Sequence, residues 1–263
     1  MLVLLSPAKL MNFDDVPAPD ATQPELMDRA ATLSKTTRNL TRTKIQQMMG
    51  LSDDLAQLNY ERFRAFDPEN RSGKPAILTF AGDVYRGLEA PDLSQEDLVW
   101  AQDHVRILSG LYGILRPLDR IQPYRLEMGT KVHTRRGETL YDYWGSDIAG
   151  VLNTALDRMP TRTIINLASN EYFKAVDKKT LNADIIDVAF KEEKDGKSRP
   201  LFMFTKQARG KMARWIIDNR IDDPQRLSAF DIDGYRFDKA ASTKGKLEFS
   251  RPQPAPKAAR KAA

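Results

Sequence analysis

Apolar positions recur along the chain with two periods, and each period predicts a different kind of element. From Ser94 onward, Leu98, Ala101, Val105 and Leu108 fall on one face of a helix, and Ser94-Gln95-Glu96-Asp97 has the form of a capping box with Asp in place of Glu. The spacing predicts a helix that runs on to Gly110. Ala208, Met212, Trp215 and Ile216 form a second stripe in a helix predicted from Lys206 to Asn219, and a third helix is predicted from Tyr141 to Met159. In the N-terminal third, Pro24 marks a helix start, Thr41 and Ser52 are candidate N-caps, and Gly50 is a candidate stop.

Short apolar runs predict buried strands at Met1 to Leu5, Ala76 to Phe80 and Thr163 to Asn166. Asp195-Gly196, between the strand-like stretches Asp184 to Glu193 and Arg199 to Phe204, is a hairpin signature, and a second hairpin is expected around residues 234–249. Helices and strands alternate without a regular βαβ rhythm, which predicts an α+β fold, a single mixed domain over residues 1–250. Residues 251–263 are rich in Pro and Ala and hold no apolar side chain larger than alanine. They read as a disordered tail, either a solvated extension or a phosphate-binding arm.

Composition narrows the chemistry. The 263 residues carry 41 Lys+Arg against 36 Asp+Glu, a net charge of +5. Arg251, Lys257, Arg260 and Lys261 lie in the acid-free tail, so the remaining domain is close to neutral and any basic surface must come from local clustering. The absence of cysteine removes thiol catalysis, disulfides and iron–sulfur ligation. His104 and His133 stand alone, and no H-E-x-x-H, G-x-G-x-x-G, Walker or G-x-S-x-G motif occurs, so neither metal nor cofactor is expected. No apolar run approaches the ~18–20 residues of a membrane span, and the first five residues are too short for a signal peptide, so a cytoplasmic protein without membrane or obligate protein partner is expected.

Two basic stretches stand out. Over residues 105–136, seven cations, Arg116, Arg120 and Arg125 among them, face only Asp119 and Glu127, with Tyr112 and Tyr124 interleaved as stacking faces. At the centre, Ser109, Gly110, Tyr112 and Gly113 resemble a helix-hairpin-helix, whose glycine hairpin turns backbone N–H groups toward a phosphate. A glycine-capped structural turn would look the same, Gly110 and Gly113 enclose two residues instead of one, and Pro117 interrupts the second helix. In the second stretch, Lys206, Gly210 and Arg214 recur every four residues, flanked by Arg209 and Lys211; Gly210 would suit close approach of either a phosphate or another helix. The expected partner is DNA, held mainly through its phosphate backbone.

A different constellation sits in strand-end loops. Ser6 and Lys9 follow the first predicted strand, Asn166, Glu171 and Lys174 follow a later one, and Glu127 closes the basic stretch. Such residues could build a pocket acting on a nucleic acid or nucleotide, or simply cap and pair in ordinary loops.

The strings LLSPAK, GDVYRGL, LSGLYGILRPLDRIQPYRLEMG, LYDYWG, NLASNEYFK and KQARGKMARWII, in that order, closely resemble the YaaA family of peroxide-stress-response proteins, from Met1 to about Ser250. The resemblance implies a bacterial cytoplasmic protein that helps cells survive hydrogen peroxide and keeps unincorporated iron low. It also implies DNA binding through a helix-hairpin-helix and a positively charged cleft in an unusual α+β fold. No iron cage is visible in the residues, so an effect on iron is expected to be indirect.

Overall fold

The computed structural model describes residues 1–69 and 73–255. Its centre is one eight-stranded sheet built from β1 (Leu2–Leu5), β2 (Val105–Ser109), β3 (Gly113–Leu115), β4 (Thr163–Asn166), β5 (Asp184–Lys194), β6 (Lys197–Arg199), β7 (Arg236–Phe237) and β8 (Lys246–Pro252). The order is β7-β8-β5-β4-β1-β2-β3, with β6 paired to β5 off this path. The four central pairings, β8–β5, β5–β4, β4–β1 and β1–β2, are all parallel, and antiparallel hairpins finish the edges. The expected single mixed domain of helices and strands holds, but the sheet is mostly parallel. Its βαβ rhythm is hidden in the sequence because the connections between parallel strands are long: residues 6–104 and 116–162 each carry several helices.

Helices pack around this sheet: α1 (Met27–Arg38), α2 (Arg42–Met49), α3 (Asp53–Ala65), α4 (Asp83–Leu88), α5 (Gln95–His104), α6 (Leu140–Trp144), α7 (Asp147–Leu156) and α8 (Phe202–Asp218). Local chemistry sets many of their ends. The Ser94 hydroxyl accepts from the Asp97 N–H while the Asp97 carboxylate accepts from the Ser94 N–H, closing the predicted capping box. Thr41 accepts from the Lys44 N–H, and Gly50 ends α2 in the left-handed region at φ 60°. Ser52 occupies its N-cap position without a side-chain cap bond.

Several elements differ from expectation for identifiable reasons. Helix α5 stops at His104, and Val105–Ser109 is strand β2, buried throughout. The apolar residues that read as a helical face insert beside β1, Val3 opposite Val105 and Leu5 opposite Ile107. Ala76–Thr79 is a single helical turn, not a strand. The helix from Tyr141 to Met159 is two helices, because Gly145 turns the chain at φ 47°. The Asp195-Gly196 turn forms as expected, with both residues at positive φ, but its second strand is Lys197–Arg199, and Phe202 to Phe204 of the expected strand open α8 instead.

The helix-hairpin-helix is overturned. Ser109 and Gly113 face each other across the β2–β3 hairpin and Gly110 begins its turn, so the glycines belong to a turn between strands and not between helices. The expected tail boundary also moves. Strand β8 stays paired to β5 through Pro252, and the Arg251 side chain is buried beside the fully buried Glu192, 4.3 Å from the Tyr235 ring centroid. Residues 256–263 of the expected tail lie outside the described residues.

Helix α8 crosses α4 at unusually close range. A Cβ on Gly210 would stand 1.8 Å from the Val84 carbonyl oxygen, and one on Gly87 2.2 Å from that of Gln207. Helix contact therefore accounts for Gly210, and no phosphate is needed. No helix among the described residues is long and apolar enough to cross a membrane.

Gly210→Ala is expected to lower stability by about 3 kcal/mol through backbone clash, a fall in melting midpoint on the order of 10 °C. Gly150, inside α7, gives the opposite sign, because a Cβ added there would meet nothing within 4 Å. Gly150→Ala should gain about 0.5–1 kcal/mol from helix propensity. Thermal unfolding followed by circular dichroism measures both.

Candidate functional site

Strand β1 has β2 on one side and β4 on the other, and the chain leaving β1 goes on to β2 while that leaving β4 goes on to β5, in opposite directions along the strand order. Parallel sheets open a crevice at the carboxyl ends of two such strands. Ser6 is the residue after β1, and Asn166 is the last residue of β4. The backbone closes the gap just beyond them: the Leu167 N–H donates to the Leu4 carbonyl at 3.0 Å, and the Ser169 N–H to Ser6 Oγ at 2.8 Å. The two serine hydroxyls lie 3.4 Å apart.

Further groups converge on this crevice. The Tyr85 hydroxyl, carried by α4, donates to the Ser6 carbonyl at 3.0 Å. The Asn166 amide donates to Asp187 at 2.7 Å while its oxygen accepts the Ala168 N–H at 3.0 Å, which fixes the turn leading to Ser169. Lys9 lies 2.8 Å from Glu127, whose other oxygen meets Arg125 at 3.2 Å. Glu171 accepts the Gly129 N–H at 2.9 Å, and the Tyr141 hydroxyl donates to the Glu171 carbonyl. The Lys174 ammonium lies 4.7 Å from the Tyr141 ring centroid. Ser6 thus meets the Asn166 turn at Ser169, Lys9 pairs with Glu127, and Glu171 and Lys174 share Tyr141.

Burial decides the protonation of the phenols nearby. It pushes Tyr85 and Tyr172 well above the usual tyrosine range, and their mutual proximity with Tyr124 adds to the shift. They remain neutral donors at physiological pH. Ser6 touches no carboxylate or imidazole among the described residues, so its hydroxyl offers a hydrogen bond and not an activated nucleophile. The arrangement is suited to binding a polar, anionic molecule with hydroxyl, amide and cationic donors. Among the described residues, no three His, Asp or Glu side chains cluster in a way that could hold a metal ion.

The basic stretches distribute differently from expectation. Arg116 donates to the buried Asp119 at 3.0 Å, to the Gln23 carbonyl, and faces Glu25 at 3.6 Å. Arg125 pairs with Glu127, Lys211 with Asp233 at 2.7 Å, and Arg214 with Asp218 at 2.8 Å. Lys206 lies over the Phe202 ring. Arg120, Lys206 and Arg209 make no ion pair among the described residues; burial lowers the pKa of Arg209, and Asp187 counters it. The aromatic and glycine members are structural. Tyr112 and Tyr124 are buried edge to face at 5.4 Å. Ser109 Oγ lies 2.7 Å from the Tyr124 hydroxyl, the Gly110 carbonyl accepts from the Trp144 indole, and Gly113 lies flat against that ring.

Sequence reasoning missed Tyr85, Ser169, Tyr172 and Asp187. Ser169 lies in a strand-end loop beside Asn166, a position that could have singled it out. Tyr85 and Asp187 reach the crevice only through tertiary contacts, from α4 and β5.

The model of the peroxide stress protein YaaA family matches residues 1–241. Among curated relatives, a UPF0246 protein of Maricaulis maris is 59% identical over 256 residues, covering 97% of each chain. One from Caulobacter vibrioides is 53% identical over 97% of this chain and all of its own, and one from Phenylobacterium zucineum 50% identical over 98% of each.

Because Asp119 is 1% exposed at its side chain, removing Arg116 strands a buried carboxylate. Arg116→Met is expected to cost about 2–3 kcal/mol, read as a lower urea midpoint at unchanged slope.

Proposed function

The chain belongs to the peroxide stress protein YaaA family, and we propose that it serves the response to hydrogen peroxide in the bacterial cytoplasm by binding an anionic, nucleotide-like small molecule at the crevice between β1 and β4. The observation that carries this reading is the Ser169 N–H to Ser6 Oγ bond at the point where the two strands' connections diverge. It joins the loops after β1 and β4 at a place where α/β sheets receive ligands. Any lowering of unincorporated iron then follows indirectly, from the ligand handled there.

A second reading is duplex DNA binding through phosphates. Its support is the charge of Arg120, Lys206 and Arg209, which face no carboxylate within ion-pair distance among the described residues. Three phosphate contacts would give a slope of about −2.7 in log K against log salt. Duplex affinity that is absent, or insensitive to salt and to the triple Ala variant of these residues, removes this reading.

The test of the first reading is survival. In cells lacking the chromosomal copy and challenged with hydrogen peroxide, Ser6→Ala and Asn166→Ala should protect no better than an empty vector. Arg162→Gln, altered at the opposite end of β4, should protect fully. Full protection by Ser6→Ala, expressed at normal level, would refute the proposal.

A further inference from the structure

Beside the crevice, two cations share one carboxylate, and a third cation stands next to one of them. Lys9 and Arg125 hold the two oxygens of Glu127 at 2.8 and 3.2 Å. Arg62, on α3, stands close enough to Arg125 for the two like charges to interact, and it makes no ion pair among the described residues. The Arg125 side chain is 18% exposed, and its Nε is buried with no hydrogen-bond partner. A guanidinium in this position carries a donor that Glu127 does not reach, next to a second guanidinium that it does not neutralise. Lys9, Arg125 and Arg62 outnumber Glu127 here, an excess that a phosphate would offset. Guanidinium groups meet phosphate oxygens through paired, planar donors, whereas a lysine supplies a movable point charge.

We propose that Arg62, Arg125 and Lys9 form a subsite for the phosphate group of a small phosphomonoester or phosphoanhydride, with Glu127 holding Arg125 and Lys9 in place until the phosphate arrives. The proposal rests on the crevice reading above and names the chemical class of its ligand. Glu127 acts as an internal competitor: its carboxylate occupies the donors that the phosphate needs, so binding requires Arg125 to exchange one anion for another. Ser6 and Ser169 then face the remainder of the same molecule.

The competition gives a test with opposite signs. Isothermal titration of the full chain with inorganic pyrophosphate, at constant ionic strength, should show Glu127→Gln binding at least about fivefold more tightly than wild type. Arg125→Gln and Arg62→Gln should each weaken binding about tenfold, and Arg162→Gln should change nothing. Should Arg125→Gln fail to fold by circular dichroism, Arg62→Gln and Glu127→Gln carry the test. No tightening in folded Glu127→Gln, or no weakening in folded Arg62→Gln, overturns the subsite. So does wild-type binding of duplex DNA with no uptake of pyrophosphate, which would assign these cations to a polymer backbone. The two readings fail separately. Absent pyrophosphate binding with Ser6→Ala still unable to protect cells defeats the subsite alone, whereas full protection by Ser6→Ala defeats the crevice reading.

Discussion

Strand β1 is the constraint on which the rest of the molecule depends. Its four residues are buried on both faces and hydrogen-bonded on both edges, with Leu2–Leu5 lying between β2 and β4. Every other central strand takes its register from this one, directly or through β4. Because β1 and β4 send their following loops in opposite directions, the same pairing that builds the core also opens the crevice. Stability and site share one origin: the apolar run that drives the strand into the centre delivers Ser6 to the sheet's carboxyl edge.

Charge is arranged as a set of local pairs. Arg116 pairs with Asp119 three residues on and Arg214 with Asp218 four residues on, while Lys211 reaches across to Asp233. A partly buried arginine that carries its own carboxylate must shed that carboxylate before it can meet a phosphate, and that exchange offsets much of the gain. Around Glu127, beside the crevice, cations outnumber acids at close range. Of residues 105–136, Arg125 is the cation that joins this cluster.

How much of this is legible in the sequence depends on how local each cause is. The capping box at Ser94, the stop at Gly50 and the Asp195-Gly196 turn are decided within a few residues, and all three appear as expected. The first strand and the one at Thr163–Asn166 also appear as expected, whereas the equally short apolar run at Ala76–Thr79 forms a helical turn. Val105–Ser109 defeats a reading by periodicity because a buried parallel strand and the continuation of a buried helix face carry the same residues. Only the vacancy beside β1 decides between them. Ser6, Lys9, Glu127, Asn166, Glu171 and Lys174 are legible as strand-end polar residues, while Tyr85 and Asp187 are not, since their place depends on how α4 and β5 pack. Gly210 reads as a point of close approach, and the approaching group is the backbone of α4.

The order of the strands in the sheet differs from their order of synthesis. Strand β1 leaves the ribosome before its two neighbours, which are made only with residues 105 and 163 onward. Until then the apolar run at Leu2–Leu5 has no edge to join, and translation at roughly 5–20 residues per second keeps it waiting for many seconds. During that interval the nascent chain exposes a short, strongly apolar β-forming segment, the kind of surface that nascent-chain chaperones cover.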